Sequence, residues 1–204
     1  IGELALEYGM FIHVGSLAVP LDDGQFANRS VLFGPDGAIA AHYDKIHLFD
    51  ATIAGLNAYR ESDTYRGGEQ AVTAPLGDFT LGMAICYDMR FPQLFNALAN
   101  AGANLMAVPA AFTVPTGQAH WHVLLRARAI ETGSYVIAAA QGGQHPNGRA
   151  TYGHSIIIDP WGRVVAELDH DAPGVLLADI AIDHVTDARQ RIPAVANARN
   201  FVRP

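Results

Sequence analysis

A chain of 204 residues, half of them apolar and 16% charged, can bury a sizeable core and reads as one domain spanning 1–204. A formal net charge of −7 excludes a broad basic face for nucleic acid, and no apolar run is long enough to cross a bilayer. The single cysteine, Cys86, excludes an intramolecular disulfide and fits a reducing, cytoplasmic compartment.

The chain starts at Ile1 and enters at once into an apolar-periodic stretch, 2–8, that reads as the second half of a helix. The expectation is therefore a segment of a longer domain, lacking an N-terminal strand and the start of that helix. Residues 11–17 read as a buried strand and 28–33 as a second. Gly34-Pro35-Asp36-Gly37 is a hairpin signal, and 38–44 returns as the paired strand, running straight into Lys45. A long loop then reaches Glu61 and ends near Gly67-Gly68. Residues 78–85 form an apolar strand ahead of Cys86. Residues 91–99 form a helix with Pro92 in its first turn.

Further on, 104–109 is a short buried strand. Residues 117–132 are a helix with Trp121, Leu124, Leu125 and Ile130 at helical spacing. Residues 134–140 are the next strand, 145–148 a loop, and 155–158 with 162–167 a hairpin around Asp159-Pro160-Trp161-Gly162. Residues 174–180 read as the last strand, and a final helix runs from Asp183, as N-cap, to Arg191. Strands arranged both as βαβ units and as hairpins imply an α/β fold of mixed sheets covered by helices.

Cys86 sits where a strand hands over to a helix. On position alone it is either a small buried hydrophobe or a nucleophile. In open α/β folds ligands bind at strand ends, and a turn there aims free N–H groups at the space above the sulfur. A thiolate attacking a carbonyl needs a base for its proton, a holder for the oxyanion and a proton for the leaving group. Lys45, at the end of one strand, and Glu61, in a long loop, are residues of the right kind. A lysine beside the sulfur favours the thiolate and faces the oxyanion, and a carboxylate in reach of both orients the lysine.

The wording around these residues is more specific. YDKIHLFD, RESDTYRGGE, GMAICYDMRFPQL, TGQAHWHVLLRARAIETGSYVIAAAQ and YGHSIIIDPWGRVVAE resemble, in order, the nitrilase superfamily of carbon–nitrogen hydrolases. Within it they look most like the Nit branch, which includes deaminated glutathione amidase and ω-amidase. The resemblance covers nearly the whole chain. It implies a four-layer αββα sandwich, frequent assembly into homodimers or larger homo-oligomers, and a Glu-Lys-Cys triad with no metal or organic cofactor. It implies Cys86 as nucleophile, Lys45 as the lysine for oxyanion and leaving group, and Glu61 as the glutamate that positions lysine and substrate. The Tyr87 backbone N–H would complete the oxyanion hole. Two departures stand out. The family's general-base glutamate lies upstream of the lysine in a segment this sequence does not contain, and neither Glu3 nor Glu7 matches it. His122 stands where the Nit branch commonly has Glu, and an imidazole is not a carboxylate acceptor.

Other candidates carry less chemistry. His120 and His122, at i and i+2 of a helix, point to different faces and cannot easily share a metal. Arg126, Arg128 and Glu131 read as an ion network on a helix face. Arg90 reads either as a bidentate partner for a substrate carboxylate or as a structural pair with Asp88. Phe112, Thr113 and Tyr152 are candidate pocket residues, and Trp161 reads as hairpin packing. The functional expectation is a cysteine-dependent amidase acting on a small-molecule linear carboxamide through a thioester. A nitrilase or N-carbamoyl amidohydrolase is the alternative within the family. A non-catalytic binding protein on the same fold is the alternative of another class.

Overall fold

The computed structural model describes residues 1–53, 58–168 and 172–202. The chain runs α1 (Gly2–Tyr8), β1 (Ile12–Pro20), β2 (Phe26–Phe33), β3 (Ile39–Asp44), β4 (Asp50–Ala51), β5 (Tyr59–Arg60), β6 (Val72–Leu76) and β7 (Phe79–Met83). It continues with α2 (Pro92–Asn100), β8 (Leu105–Ala107), α3 (Val114–Thr132), β9 (Tyr135–Ala138), β10 (Gly142–Gln144), β11 (Ala150–Tyr152), β12 (Ile156–Ile158), β13 (Val164–Glu167), α4 (Ile182–Arg191) and α5 (Ala194–Asn197). Short 3₁₀ turns occupy Glu61–Asp63 and Cys86–Arg90.

Two sheets make the frame. One is the antiparallel meander β1-β2-β3; the other has six strands in the order β13-β12-β9-β8-β7-β6. In the larger sheet β7, β8 and β9 are parallel neighbours, with antiparallel strands on both flanks. The alternation of side chains along these strands divides the core in two. Met106, Val136, Ile156 and Ile158 face α2 and α3, where Phe95, Leu98, Trp121, Leu125 and Ala129 pack on them. Leu81, Met83, Leu105 and Tyr135 face the other way, onto Leu32 and Tyr43 of the smaller sheet and Val185 of α4. Gly82 lies on the helix side, where a Cβ would come within 2.7 Å of the Met106 sulfur, so helix and sheet approach closely there. With α1 laid against the β2–β3 hairpin, Gly2 on Gly37, the layers are helix, sheet, sheet, helix.

The elements agree with the sequence reading except at particular places. The helix expected over 117–132 begins earlier, at Val114, because Pro115 is at home in a first turn. Its Ile130 is 52% exposed and rests on Gly162 rather than entering the core. Residues 174–180 are not a strand: they pair with no neighbour among the described residues, and Val175 and Leu177 stay more than four-fifths exposed. The final helix starts at Ile182 with Ala181 as N-cap, so Asp183 lies inside its first turn. The long loop before Glu61 holds the ribbon β4–β5, while 54–57 lie outside the described residues. Strands β6, β10 and β11 carry too little apolar alternation to be read from sequence. Trp161 is 47% exposed beneath the Arg191 guanidinium, not packed in the hairpin.

Candidate active site

Cys86 stands at the carboxyl end of β7. Beyond the strand proper the parallel ladder continues, with the Ala84 N–H on Ala107 O and the Cys86 N–H on Pro109 O at 2.9 Å. The chain then turns sharply. Ile85 is extended, while Cys86 itself has φ of +50°, the left-handed region that non-glycine residues enter at a cost of about 1–2 kcal/mol. Strain of this kind is kept where surrounding contacts over-determine it, and it clusters at functional sites. The turn brings Cys86 to the wall of a cavity of about 580 Å³ at the carboxyl ends of β7, β8 and β9.

Lys45 and Glu61 stand on the same wall. Lys45 follows β3. Its N–H donates to Asn28 O, and its carbonyl accepts from the Gly68 N–H at 2.8 Å. A Cβ on Gly68 would sit 2.2 Å from Asp44 O, so only glycine lets the returning chain close over the lysine. Glu61 opens a 3₁₀ turn, where Asp50 accepts from the Ser62 N–H and hydroxyl. The Lys45 Nζ donates to Glu61 Oε2 at 2.6 Å, and the same oxygen accepts from the Phe49 N–H at 2.6 Å. Glu61 Oε1 accepts from Asn28 Nδ2 at 3.0 Å. Three donors thus fix this carboxylate in place.

Burial pushes the Cys86 thiol above its ordinary pKa. The Lys45 charge and the Ala111 N–H act the other way, favouring the thiolate, while the charges of Glu61 and Asp88 oppose it. The residue as a whole is nevertheless not fully buried, and it lines the cavity. Among the described residues no acceptor takes the Tyr87 N–H, leaving that donor available beside the sulfur.

Cys86 also borders a second, much smaller space of about 20 Å³, closed by Tyr87, Arg90, Phe112, Thr113 and Thr116. Arg90 lies over the rings of Tyr87 and Phe112, at 5.9 and 5.3 Å, and its Nη1 meets His120 Nδ1 at 3.2 Å. It does not pair with Asp88, whose oxygens are taken by Tyr43, His47 and Ile85. Tyr152 lines neither space. It packs against Gly117 of α3 and stacks on His154 at 3.9 Å. His122 Nε2 donates to Glu167 Oε1 at 2.6 Å, so the imidazole has found a carboxylate from β13. Arg128 pairs with Glu131 and donates to Met89 O, whereas Arg126 donates to Gly162 O.

Sequence reasoning did not single out Asn28, Asp88, Tyr59, Arg60, Gln141 or Arg149. Asn28 and Asp88 act through hydrogen bonds to residues far away in sequence. Tyr59, Arg60, Gln141 and Arg149 reach the large cavity from the β4–β5 ribbon and from the segments around β10 and β11, all weakly patterned.

A cysteine in a strained turn at a strand end, a lysine–carboxylate pair on the same cavity wall, and two sheets layered between helices make this an α/β protein of the αββα kind with a candidate thiol site. A family profile for carbon–nitrogen hydrolases matches residues 1–190. The chain belongs to the carbon–nitrogen hydrolase family. It is 42% identical over 200 residues to the deaminated glutathione amidase of Yersinia enterocolitica, covering 97% of this chain and 70% of that one. Superposition on the C. elegans NitFhit protein gives a TM-score of 0.90 at 38% identity, over 97% of this chain and 48% of that one. An amidase from Nesterenkonia sp. AN1, solved with acrylamide added at its active-site cysteine, gives 0.76 at 28% identity, over 94% of this chain and 71% of that one. The chain spans less than two thirds of the human counterpart and about half of the worm protein. Among the described residues no helix is long and apolar enough to cross a membrane.

Proposed function

We propose that the protein is an amidase in which Cys86 attacks the carbonyl of a linear carboxamide and forms a thioester. The observation that carries this reading is the convergence of Cys86, Lys45 and Glu61 on one cavity wall, with the lysine and glutamate 2.6 Å apart. The Lys45 ammonium stabilises the oxyanion together with the Tyr87 N–H and hands a proton to the departing amine. Glu61 holds the lysine aimed. Its oxygens are already engaged by three donors, so it is a poor base for the thiol proton. In the family that the sequence resembles, a further glutamate takes that proton. Water then attacks the thioester and releases the carboxylic acid.

The linings support a substrate that carries negative charge away from the scissile bond. Among the described residues, Glu61 is the one carboxylate on the wall of the large cavity, against Lys45, Arg60 and Arg149. A dicarboxylate monoamide or a deaminated peptide amide has that character, and the relatives named deaminated glutathione amidase agree with it. The small space under Arg90, Phe112 and Thr113 has room for about one water-sized group, so the acyl portion lies in the large cavity.

We also propose a cytoplasmic homodimer. A catalytic thiol stays reduced there. The exposed Val123 and Ile130 on α3 give an apolar face for a second copy. Light scattering during gel filtration checks the dimer.

The experiment for the function is mass spectrometry of the full-length protein, quenched during turnover of ω-amides of dicarboxylic acids. An acyl adduct on Cys86 and release of the amine are expected. An adduct on another residue, or turnover undiminished in Cys86→Ser, would overturn the mechanism. No turnover and no adduct with any amide would leave a binding protein.

A further inference from the structure

Asp88 is completely buried, yet no lysine or arginine pairs with it among the described residues. Its carboxylate accepts four hydrogen bonds. Oδ2 takes the Tyr43 hydroxyl at 2.7 Å and the Ile85 N–H at 2.8 Å. Oδ1 takes the His47 N–H at 3.1 Å and His47 Nδ1–H at 2.7 Å. The donors come from two segments. Tyr43 and His47 stand two residues before and two residues after Lys45. Ile85 and Asp88 itself stand one residue before and two residues after Cys86. We infer that Asp88 is a positioning residue that fixes the separation of Lys45 and Cys86, a role that rests on the amidase reading above for its catalytic consequence.

The surrounding contacts stiffen this joint. The Tyr43 hydroxyl also accepts from the Ile46 N–H at 3.1 Å, which ties the residue next to Lys45. The His47 ring lies flat on Phe91 at 3.6 Å, and Phe91 caps the turn that Cys86 begins. The Ile85 N–H bond closes the turn from its other end, which helps keep Cys86 at positive φ.

The chemistry argues that position is what Asp88 provides. Burying a carboxylate is expensive even when it is fully hydrogen-bonded. This one is buried where its charge also opposes ionisation of the neighbouring thiol. A group that is costly to fold and electrostatically adverse to the nucleophile fits a site that needs one acceptor able to serve four donors from two segments. Asparagine cannot replace it: its oxygen accepts, but its amide nitrogen meets donors.

The test uses the full-length protein and two readouts, amide turnover and the pH dependence of Cys86 alkylation by iodoacetamide. The charged groups that act on the thiol are Lys45, Glu61, Asp88 and Arg90. In Asp88→Asn, kcat is expected to fall about 10²-fold with little change in KM, as a misplacement of order 1 Å does. The alkylation midpoint is expected to rise, because displacing the Lys45 charge, the larger influence on the thiol, outweighs losing the weaker opposing charge of Asp88. Independently of turnover, Lys45→Met should raise the alkylation midpoint in the parent protein and raise it much less in the Asp88→Asn background, where the ammonium is no longer held at the sulfur. This comparison decides the positioning role even if no amide is turned over, an outcome that would count against the amidase reading alone. If Asp88→Asn fails to fold, Tyr43→Phe and His47→Phe each remove one donor while keeping ring packing, and each should lower kcat several-fold at constant KM. Full kcat in both single variants, or an undiminished Lys45→Met shift without Asp88, overturns the proposal. So does an alkylation midpoint that falls in Asp88→Asn, the sign of a lost negative charge with the ammonium still in place.

Discussion

Lys45 and Glu61 meet at 2.6 Å, and the lysine is 3% exposed. An ammonium this deeply placed is tolerable because the carboxylate facing it is fixed by the Phe49 N–H and Asn28. The pair is thus held from both sides, from β2 through Asn28 and from the chain after β3 through Phe49. Cys86 sees a cation whose place does not depend on the substrate.

Glu61→Gln should therefore damage both stability and turnover. The glutamine has one accepting oxygen for three donors and leaves Lys45 without a counter-charge. Breaking a dry buried pair costs about 3–5 kcal/mol, and the open cavity reduces this to about 2–3 kcal/mol. Urea unfolding should show that loss, and kcat should fall by about 10²-fold or more. Lys45→Met with unaltered turnover would contradict the same picture.

Cys86→Ser should abolish turnover and keep the unfolding midpoint near that of the parent, since the change is almost isosteric and a serine hydroxyl is much harder to ionise. The backbone adds a second expectation. At φ of +50° a glycine is relaxed and an alanine strained, so Cys86→Gly should be more stable than Cys86→Ala by about 1 kcal/mol. Chemical denaturation of the three variants checks this. In an ordinary strand or helix the order of Gly and Ala is reversed.

The turn at Cys86 was legible because its signals are local: an apolar strand, a change of period, and Pro92 in the next first turn. The αββα layering was legible from the resemblance and from the mixture of hairpins and βαβ units. Asp88 and Asn28 were not legible. An aspartate in a turn looks solvated, and what buries Asp88 is Tyr43, 45 residues earlier. Residues 174–180 misled because apolar patterning announces a strand without supplying a partner, and no neighbouring edge pairs with them. Arg149 was hidden for a related reason. Its place on the cavity wall depends on how the β10–β11 ribbon folds back, which no periodicity in 142–152 announces.

His13 gives a pH expectation. It is largely buried in the β1–β2 ladder, where its Nε2 meets the Ser30 hydroxyl at 2.6 Å, and burial lowers its pKa from the ordinary 6.5 to about 4. Because Ser30 donates to Val14 O, the imidazole Nε2–H is the donor to the hydroxyl, and burial favours the neutral ring. As pH falls below 6.5 the unfolded chain takes up a proton that the folded chain refuses until about pH 4. The stability contributed by the neutral form is thus present above 6.5 and lost between 6.5 and about 4. Between pH 7 and pH 5 the loss should be on the order of 2 kcal/mol. His13→Gln retains a donor for Ser30 without titrating, and urea midpoints at the two pH values should then differ less by about that amount.

Arg149 gives the test of substrate charge. Its guanidinium lies 5.3 Å from the centre of the Tyr59 ring, and both side chains line the large cavity. With Lys45 balanced by Glu61, Arg149 and Arg60 leave this wall with an excess of two positive charges, in a chain whose formal net charge is −7. A local field opposite in sign to the whole molecule concentrates anions at the site rather than over the surface. Arg149 is exposed, so its contact with a carboxylate is worth less than a buried bidentate pair. A factor of about ten, equivalent to about 1.4 kcal/mol, is the reasonable size. In Arg149→Met the ratio of kcat/KM for a carboxylate-bearing amide to that for a neutral amide should fall about tenfold. Arg149→Lys should restore part of it, because the charge returns but the planar fork over Tyr59 does not. Raising the salt from low to physiological strength should lower the same ratio in the parent protein and affect Arg149→Met less, since the Debye length shrinks to about 8 Å. A ratio that ignores both the substitution and the salt would mean that the charge on this wall does not select the substrate.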